Sequence, residues 1–442
     1  MSPPVRPFVS NEVLPERVDV VVIGGGISGV AAAWELARRG QSVALVEKGR
    51  IGAEQSSRNW GWCRQQNRDP RELPLAILAM RIWDEMQASF GEDLGFRRNG
   101  LVYTSDSDSD LAAWEAWSHI AQEHGVDSRL LTGDQAAALL PGHARRWKGG
   151  VHSPTDGRAE PALATPIIAE AARREGASLF QDCAAREIDF AAGAVAGVVT
   201  ERGRIACDAA LVAGGAWAGM LLRHHGIRFL QASLQSTSFF TEAAPEVLSC
   251  GHSMPDLSLR RRLDGGYTVG ISGFGKLHLA PQGMAQLRPF WPTFLSRRDK
   301  LSFTLSRQFL NGPDSLQHWD ADSRSPFERV RVLDPAPDSR LLRQALVGMA
   351  ETYPGLAGVK IAQAWGGMID CTPDGIPVIS GVVNRPGLYV SAGHTGHGFG
   401  IGPAAGRLIA DLISGDAPCV DPRPFAHLRM VDGRDLGAMG MM

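Results

Sequence analysis

The hydrophobic period of the chain changes twice within its first fifty residues. Val20-Val21-Val22-Ile23 is an unbroken apolar run, the pattern of a strand buried on both faces. It gives way at Gly24-Gly25-Gly26-Ile27-Ser28-Gly29 to Val30-Ala31-Ala32-Ala33-Trp34-Glu35-Leu36-Ala37-Arg38-Arg39, which reads as a helix closed by Gly40. A second apolar run, Val43-Ala44-Leu45-Val46, ends in Glu47. The pattern predicts a strand–helix–strand unit.

Further on, a polar loop spans 52–71, and Glu72-Leu73-Pro74-Leu75 leads into a helix through Ala76–Trp83. A strand is expected at 96–104 and a helix at 106–124, opened by the Asp/Ser run at 105–110. Ala162 to Gly176 reads as helix, and 177–180 and 194–200 as strands. Cys207 to Val212 reads as a strand that ends in the small residues Ala213-Gly214-Gly215-Ala216 before Trp217. Residues 229–275 alternate as antiparallel strands do, notably Thr237–Thr241 and Tyr267–Ile271. Helical patterns and proline-rich loops fill 280–358. The chain closes with a strand at 387–392, a turn at 393–400 and a helix from Pro403 to Gly415.

Strand, glycine turn and helix thus recur at both ends, with antiparallel material between. The expected fold class is α/β (α+β). A Rossmann-like domain is assembled from 17–90, 151–228 and 360–430, and an antiparallel-sheet domain is inserted as 91–150 and 229–359.

A length of 442 residues with 44% hydrophobic side chains supports two or three domains with real cores. The formal net charge of −2 argues against nucleic acid or an anionic membrane surface as the main partner. Arg260-Arg261-Arg262 and Arg297-Arg298 then read as solvated faces. The six cysteines form no CxxC pair, which speaks against a metal site and for a reducing cytoplasm. Residues 1–17 lack the apolar core of a signal peptide. Residues 18–37 are apolar enough for a short membrane span, but their glycines favour a buried βα unit, so a soluble protein is expected.

The opening glycines carry the first chemistry. Gly24 permits a tight turn, Gly26 lets backbone approach a pyrophosphate, and Gly29 allows close helix packing. The helix start at Ile27 and Ser28 offers N–H groups and partial positive charge to phosphate. Glu47, followed by Lys48, sits where a ribose hydroxyl pair would be held. This constellation points to a dinucleotide.

Three blocks carry a resemblance: Gly24 to Gly29 with Glu47, Ala213 to Trp217, and Trp365 to Pro377 followed by Gly393 to Pro403. The chain resembles the FAD-dependent amine and amino-acid oxidoreductases of the D-amino-acid oxidase superfamily, relatives of glycine oxidase and sarcosine oxidase. The resemblance implies non-covalent FAD and an antiparallel sheet covering the flavin. It also implies oxidation of the C–N bond of an amino acid or secondary amine to an imine, by hydride transfer to flavin, followed by hydrolysis. The loop from Ser56 to Arg64, with Ser57, Asn59, Trp60 and Gly61, would run along the flavin. Gly214 and Trp217 would pass under the cofactor, and Gly396-His397-Gly398-Phe399 would meet its pyrimidine end.

The resemblance also implies candidate roles. Arg64, Asp370 and His397 are the catalytic candidates, and Trp62, Arg64, Asp370 and His394 the substrate-binding ones. Asp370 is equally a turn starter, while His394, Trp60 and Trp62 are equally packing residues. Lys276 aligns only loosely with an oxygen-activating lysine. Three departures stand out. Ile369 occupies the place of a carboxylate-binding arginine, Gly400 that of a lysine, and Gly367 that of a flavin-linking cysteine. A flavoprotein electron-transfer subunit and an NAD-dependent dehydrogenase remain alternatives. The oligomeric state is open.

Overall fold

The computed structural model describes residues 2–439. Its six-stranded sheet contains β1 (Val20–Ile23), β2 (Val43–Val46), β3 (Ser178–Phe180), β4 (Ala209–Val212), β5 (Val378–Gly381) and β6 (Leu388–Ala392), in the order β5-β6-β4-β1-β2-β3. All neighbours are parallel except β5, which runs antiparallel along β6. Both faces are covered, which is why β1 has no polar position. Val20 and Val22 enter the core under helix α1 (Ile27–Arg38), whereas Val21 and Ile23 enter the core on the opposite face.

Helix α1 is buried from Ile27 through Ala37. Its small residues admit the closing helix Gly398–Ser414 at backbone distance. A Cβ on Gly406 would sit 2.6 Å from Ala31 Cβ, and one on Gly402 would sit 2.7 Å from Ile27 Cγ1. The closing helix begins at Gly398, five residues before the expected start at Pro403, and carries that proline inside it. One helical hydrogen bond is forfeited there. Burial of the first two turns against α1 outweighs that loss.

The second sheet has ten strands, and Ala232–Thr241, third from one end of the strand order, is where it branches. That strand pairs with Ile361–Cys371 along its whole length, from Ala232↔Cys371 to Thr241↔Ile361, and also with Tyr267–Ile271 and Gly275–His278. Ile361–Cys371 and most of Gly149–Ser153 therefore belong to the ten-stranded sheet, across the expected borders at 360 and 151. The strand expected at 96–104 is Leu101–Ser105, because Gly95 and Gly100 adopt φ of +71° and +77° and bend the chain. A three-stranded sheet of Ala185–Ala191, Ala194–Thr200 and Gly203–Ala206 was visible in the sequence only through its middle strand.

The arginine run at 260–262 corrects another expectation. Strand alternation turns Arg260 inward. It is buried and ion-paired to Glu160 at 2.8 Å, and its Nε donates to the Trp60 carbonyl. The bond to Trp60 ties the loop after β2 to the ten-stranded sheet, and the pair with Glu160 ties the start of the helix Pro161–Arg174 to it.

Gly406→Val should lower the unfolding free energy by about 1–3 kcal/mol, seen as a reduced urea midpoint. Gly283→Ala places a Cβ where no heavy atom lies within 4 Å and should leave that midpoint unchanged or slightly raised.

Candidate active site

The strand order reverses between β1 and β4, and a cleft opens at their carboxyl ends, where open α/β sheets bind ligands. It encloses about 1220 Å³, including its mouth. Gly24 makes the turn out of β1 at φ +115°, and a Cβ there would lie 2.5 Å from the Ala213 carbonyl. Gly29 lets α1 close onto this turn, since its Cβ would meet the Gly24 carbonyl at 2.0 Å. Gly26, the N-cap of α1, instead faces the cleft, and the first turn carries no acidic side chain. A bound anion would meet the positive end of α1 with no competing carboxylate there.

Glu47 accepts from the N–H groups of Gly25 and Gly49, each at 2.7 Å. Burial pushes its carboxyl up despite neighbouring Lys48. Lys48 pairs with Glu54, which also accepts from Trp217 Nε1 at 3.1 Å. Burial works to raise Glu54, but Lys48 and the Leu333 N–H hold it below the ordinary value. Ser56 Oγ accepts from the Ile27 N–H at 2.9 Å, and Ser28 and Ser391 share a hydroxyl–hydroxyl bond at 2.6 Å. The turn Ser56–Gly61 is held by Asn59, whose Oδ1 accepts from the Gly61 N–H at 2.7 Å.

The far end of the cleft is formed by the turn Gly393–His397 and the start of the closing helix, which again has no acidic residue in its first turn. Asp370 organises this turn. Its Oδ2 accepts from the N–H groups of Gly393 at 2.7 Å and His394 at 3.3 Å, and its carbonyl accepts from the Thr395 N–H at 2.8 Å. Thr395 is thereby held at φ +50°, costly for a β-branched residue. Both ring nitrogens of His394 are buried without a protein partner, in the cleft wall.

His397 caps the closing helix, and its Nδ1 lies 3.1 Å from Glu72 Oε2. A carboxylate can only accept, so Nδ1 carries the proton and Nε2, which has no protein partner, offers a lone pair. Burial lowers His397 to about 4, helped by the Arg68 charge. Burial alone would raise Glu72, but His397 and Arg68 bring it down to about 2. Arg68 is itself buried, with Nη1 lacking a protein acceptor.

Of the expected cofactor set, Gly24, Gly26, Ile27, Ser28, Glu47, Lys48, Asn59, Gly214, Trp217, Gly396, Gly398 and Phe399 line the cleft. The substrate candidates Asp370 and His394 line it too. Gly29, Ser57, Trp60, Gly61 and His397 are outside the lining, as are Trp62 and Arg64. Ser57 donates to the Glu54 carbonyl at 3.2 Å, and Trp60 Nε1 donates to Ser238 at 2.9 Å. Trp62 stacks edge-on between Trp60 and Tyr103, at 5.7 and 6.1 Å. Arg64 donates to the Tyr103 hydroxyl at 2.7 Å and the Gln66 carbonyl at 2.9 Å. Lys276 is held by Asp338 at 2.8 Å.

Sequence reasoning missed Glu54, Met368 and Ser391 in the cleft wall, and Arg68 beside His397. Only Arg68 had a signal, as the second arginine four residues after Arg64. At Gly367 a longer side chain would meet only the movable tip of Gln55, whereas at Gly400 it would meet backbone. Their Cβ atoms would lie 2.5 Å from Gln55 Oε1 and 2.9 Å from the Trp62 carbonyl.

A glycine cradle, two helix starts free of acids and buried unpartnered groups at the far end suit an elongated cofactor with a diphosphate in its middle. Comparison with known proteins agrees. Glycine oxidase of Pseudomonas aeruginosa is 28% identical over 419 residues, covering 92% of this chain and 98% of that protein. L-amino acid deaminase from Proteus vulgaris superposes with a TM-score of 0.90 at 29% identity, over 95% of this chain and 99% of that one. L-amino acid deaminase from Proteus myxofaciens, solved in complex with anthranilate, gives a TM-score of 0.91 at 27% identity, over 97% and 98%. The model of the DAO family, described as FAD dependent oxidoreductase, matches residues 19–412, and the chain belongs to that family as an FAD-dependent enzyme of amine or amino-acid oxidation.

Proposed function

We propose that the substrate is an α-amino acid, held by its carboxylate, and that FAD is bound without a covalent link. The observation that carries this reading is Arg68. It is a buried guanidinium with an unpartnered amino group, beside Arg64 and the Glu72–His397 pair, whose His397 lies between the cleft-lining Gly396 and Gly398. A buried cation without its full set of acceptors calls for an anion. The Proteus neighbours, named as L-amino acid deaminases, support an amino acid of L configuration. Gly367, which offers no thiol, supports a non-covalent cofactor.

Bound FAD would supply the acceptor for a hydride from the substrate α-carbon. The chain's own groups do the rest. Gly26 and the start of α1 would hold the diphosphate, and Glu47 the ribose hydroxyls. The start of the closing helix stabilises negative charge at its end of the cleft. Arg68 and Arg64 orient the carboxylate, and His397 Nε2 accepts a hydrogen bond. Asp370 positions the Gly393–His397 turn. The imine that leaves the site hydrolyses to a keto acid and ammonia.

We further propose the segments 17–90, 151–228 and 360–430 as the cofactor unit and 91–150 and 229–359 as the covering unit, with the strands at 149–153 and 361–371 shared through the large sheet. A reducing cytoplasm is our proposed location, supported by six cysteines without a disulfide. No helix among the described residues is long and apolar enough to cross a membrane.

Purified holoenzyme mixed anaerobically with L-amino acids should lose its flavin absorbance. D-amino acids and amines lacking a carboxylate should leave it intact, and bleaching by such amines alone would remove the carboxylate reading. Arg68→Leu should raise KM for amino acids roughly ten- to hundredfold with a smaller change in kcat, and Arg68→Lys should restore part of it.

Acid sensitivity follows from His397. Its ordinary value of 6.5 applies in the unfolded chain and about 4 in the folded one, so the unfolded chain binds the extra proton between these values. Stability therefore falls as pH drops from 6.5 towards 4. Glu72 acts in the same direction below its ordinary 4.5. His397→Gln should flatten the decline of Tm with acidification over the upper window, as followed by circular dichroism.

A further inference from the structure

Helices Pro281–Ala285 and Leu287–Arg297 bury no residue, and neither do the short turns Arg298–Lys300 and Gln308–Asn311 that follow them. Met284, Leu287, Trp291 and Leu295 recur at helical spacing and form one apolar stripe. Such a stripe ordinarily faces a core. Here its members are 61%, 49%, 46% and 45% exposed. The stripe continues onto the strand Leu301–Thr304, at the margin of the ten-stranded sheet. Phe294 bridges the two, with ring centroids 5.3 Å from Trp291 and 6.1 Å from Phe303, which is itself half exposed. Helix and edge strand thus present one continuous apolar surface.

The charge of this region is equally distinctive. Between Gly265 and Pro313 the sequence holds Lys276, Arg288, Arg297, Arg298, Lys300 and Arg307 against a single acid, Asp299. Arg288, Arg298, Lys300 and Arg307 are exposed. Arg288 adjoins the stripe, and Arg298 opens the short turn that follows the helix. The whole chain is at −2, so the basic excess is local and is averaged away in the net charge that argued against an anionic surface.

We propose that this face docks on an anionic lipid surface, with Leu287, Trp291 and Leu295 entering the headgroup boundary and the four exposed cations meeting lipid phosphates. A half-exposed tryptophan and leucines flanked by arginine and lysine have the composition of an interfacial amphipathic helix. A second copy of the chain fits less well. A two-fold contact through this patch would set the four cations against their own images. The docking face is separate from the flavin cleft and does not rest on the substrate reading.

The test is co-sedimentation of the yellow holoenzyme with vesicles of phosphatidylcholine mixed with phosphatidylglycerol, and with phosphatidylcholine alone. The wild type should sediment with the mixed vesicles, be released by salt and stay in solution with the neutral ones. The double variants Trp291→Ser/Leu295→Ser and Arg288→Glu/Arg298→Glu should each weaken binding roughly tenfold or more, with an unchanged flavin spectrum showing that both are folded. Wild-type protein that stays in solution with the anionic vesicles, or binds neutral vesicles equally, overturns the proposal. A dimer in sedimentation velocity that Trp291→Ser/Leu295→Ser dissolves assigns the face to a second copy and overturns it as well.

Discussion

Everything in the cofactor half of this protein depends on main chain approaching main chain without side chains between. The turn after β1 lies against the end of β4, α1 closes onto that turn, and the closing helix lies on α1, each at distances that admit no Cβ. Dispersion between such closely packed surfaces is small per atom and large in sum. The arrangement also does functional work. Two helix starts, far apart in sequence, are brought to one cleft only because the helices carrying them can touch.

The local pattern carried the elements around this constraint almost to the residue. β1, β2 and the strand Tyr267–Ile271 stand where an apolar or alternating run put them, because propensity and burial agree there. The misses have a common cause. Pro403 looks like a helix start until the packing of Gly398–Gly402 is known, and Arg260 looks solvated until the sheet around it places Glu160 opposite. The candidate site divides in the same way. Its glycines and Glu47 were legible because one local unit supplies them. Glu54 and Ser391 were not, since each gains its place from residues far away in the chain.

Charge in this molecule is organised by burial rather than by totals. Around the cleft, Glu72, Arg68 and His397 are buried and Glu47 and Glu54 half-buried, and burial together with neighbouring charges shifts each of them. On the surface, the segment after Gly265 gathers cations beside exposed aromatic rings. A net charge near zero describes neither place.

Asp370 has a mechanical consequence. It belongs to the long strand Ile361–Cys371 of the ten-stranded sheet, yet three of its hydrogen bonds hold the turn at the end of the cofactor cleft. The same residue keeps Thr395 in a conformation it would leave if released. The two sheets therefore cannot hinge apart at this point without breaking three buried hydrogen bonds and relaxing a strained turn together. The seam behaves as a weld, and traffic of small molecules through the cleft must rely on side chains and rim loops moving around a rigid frame.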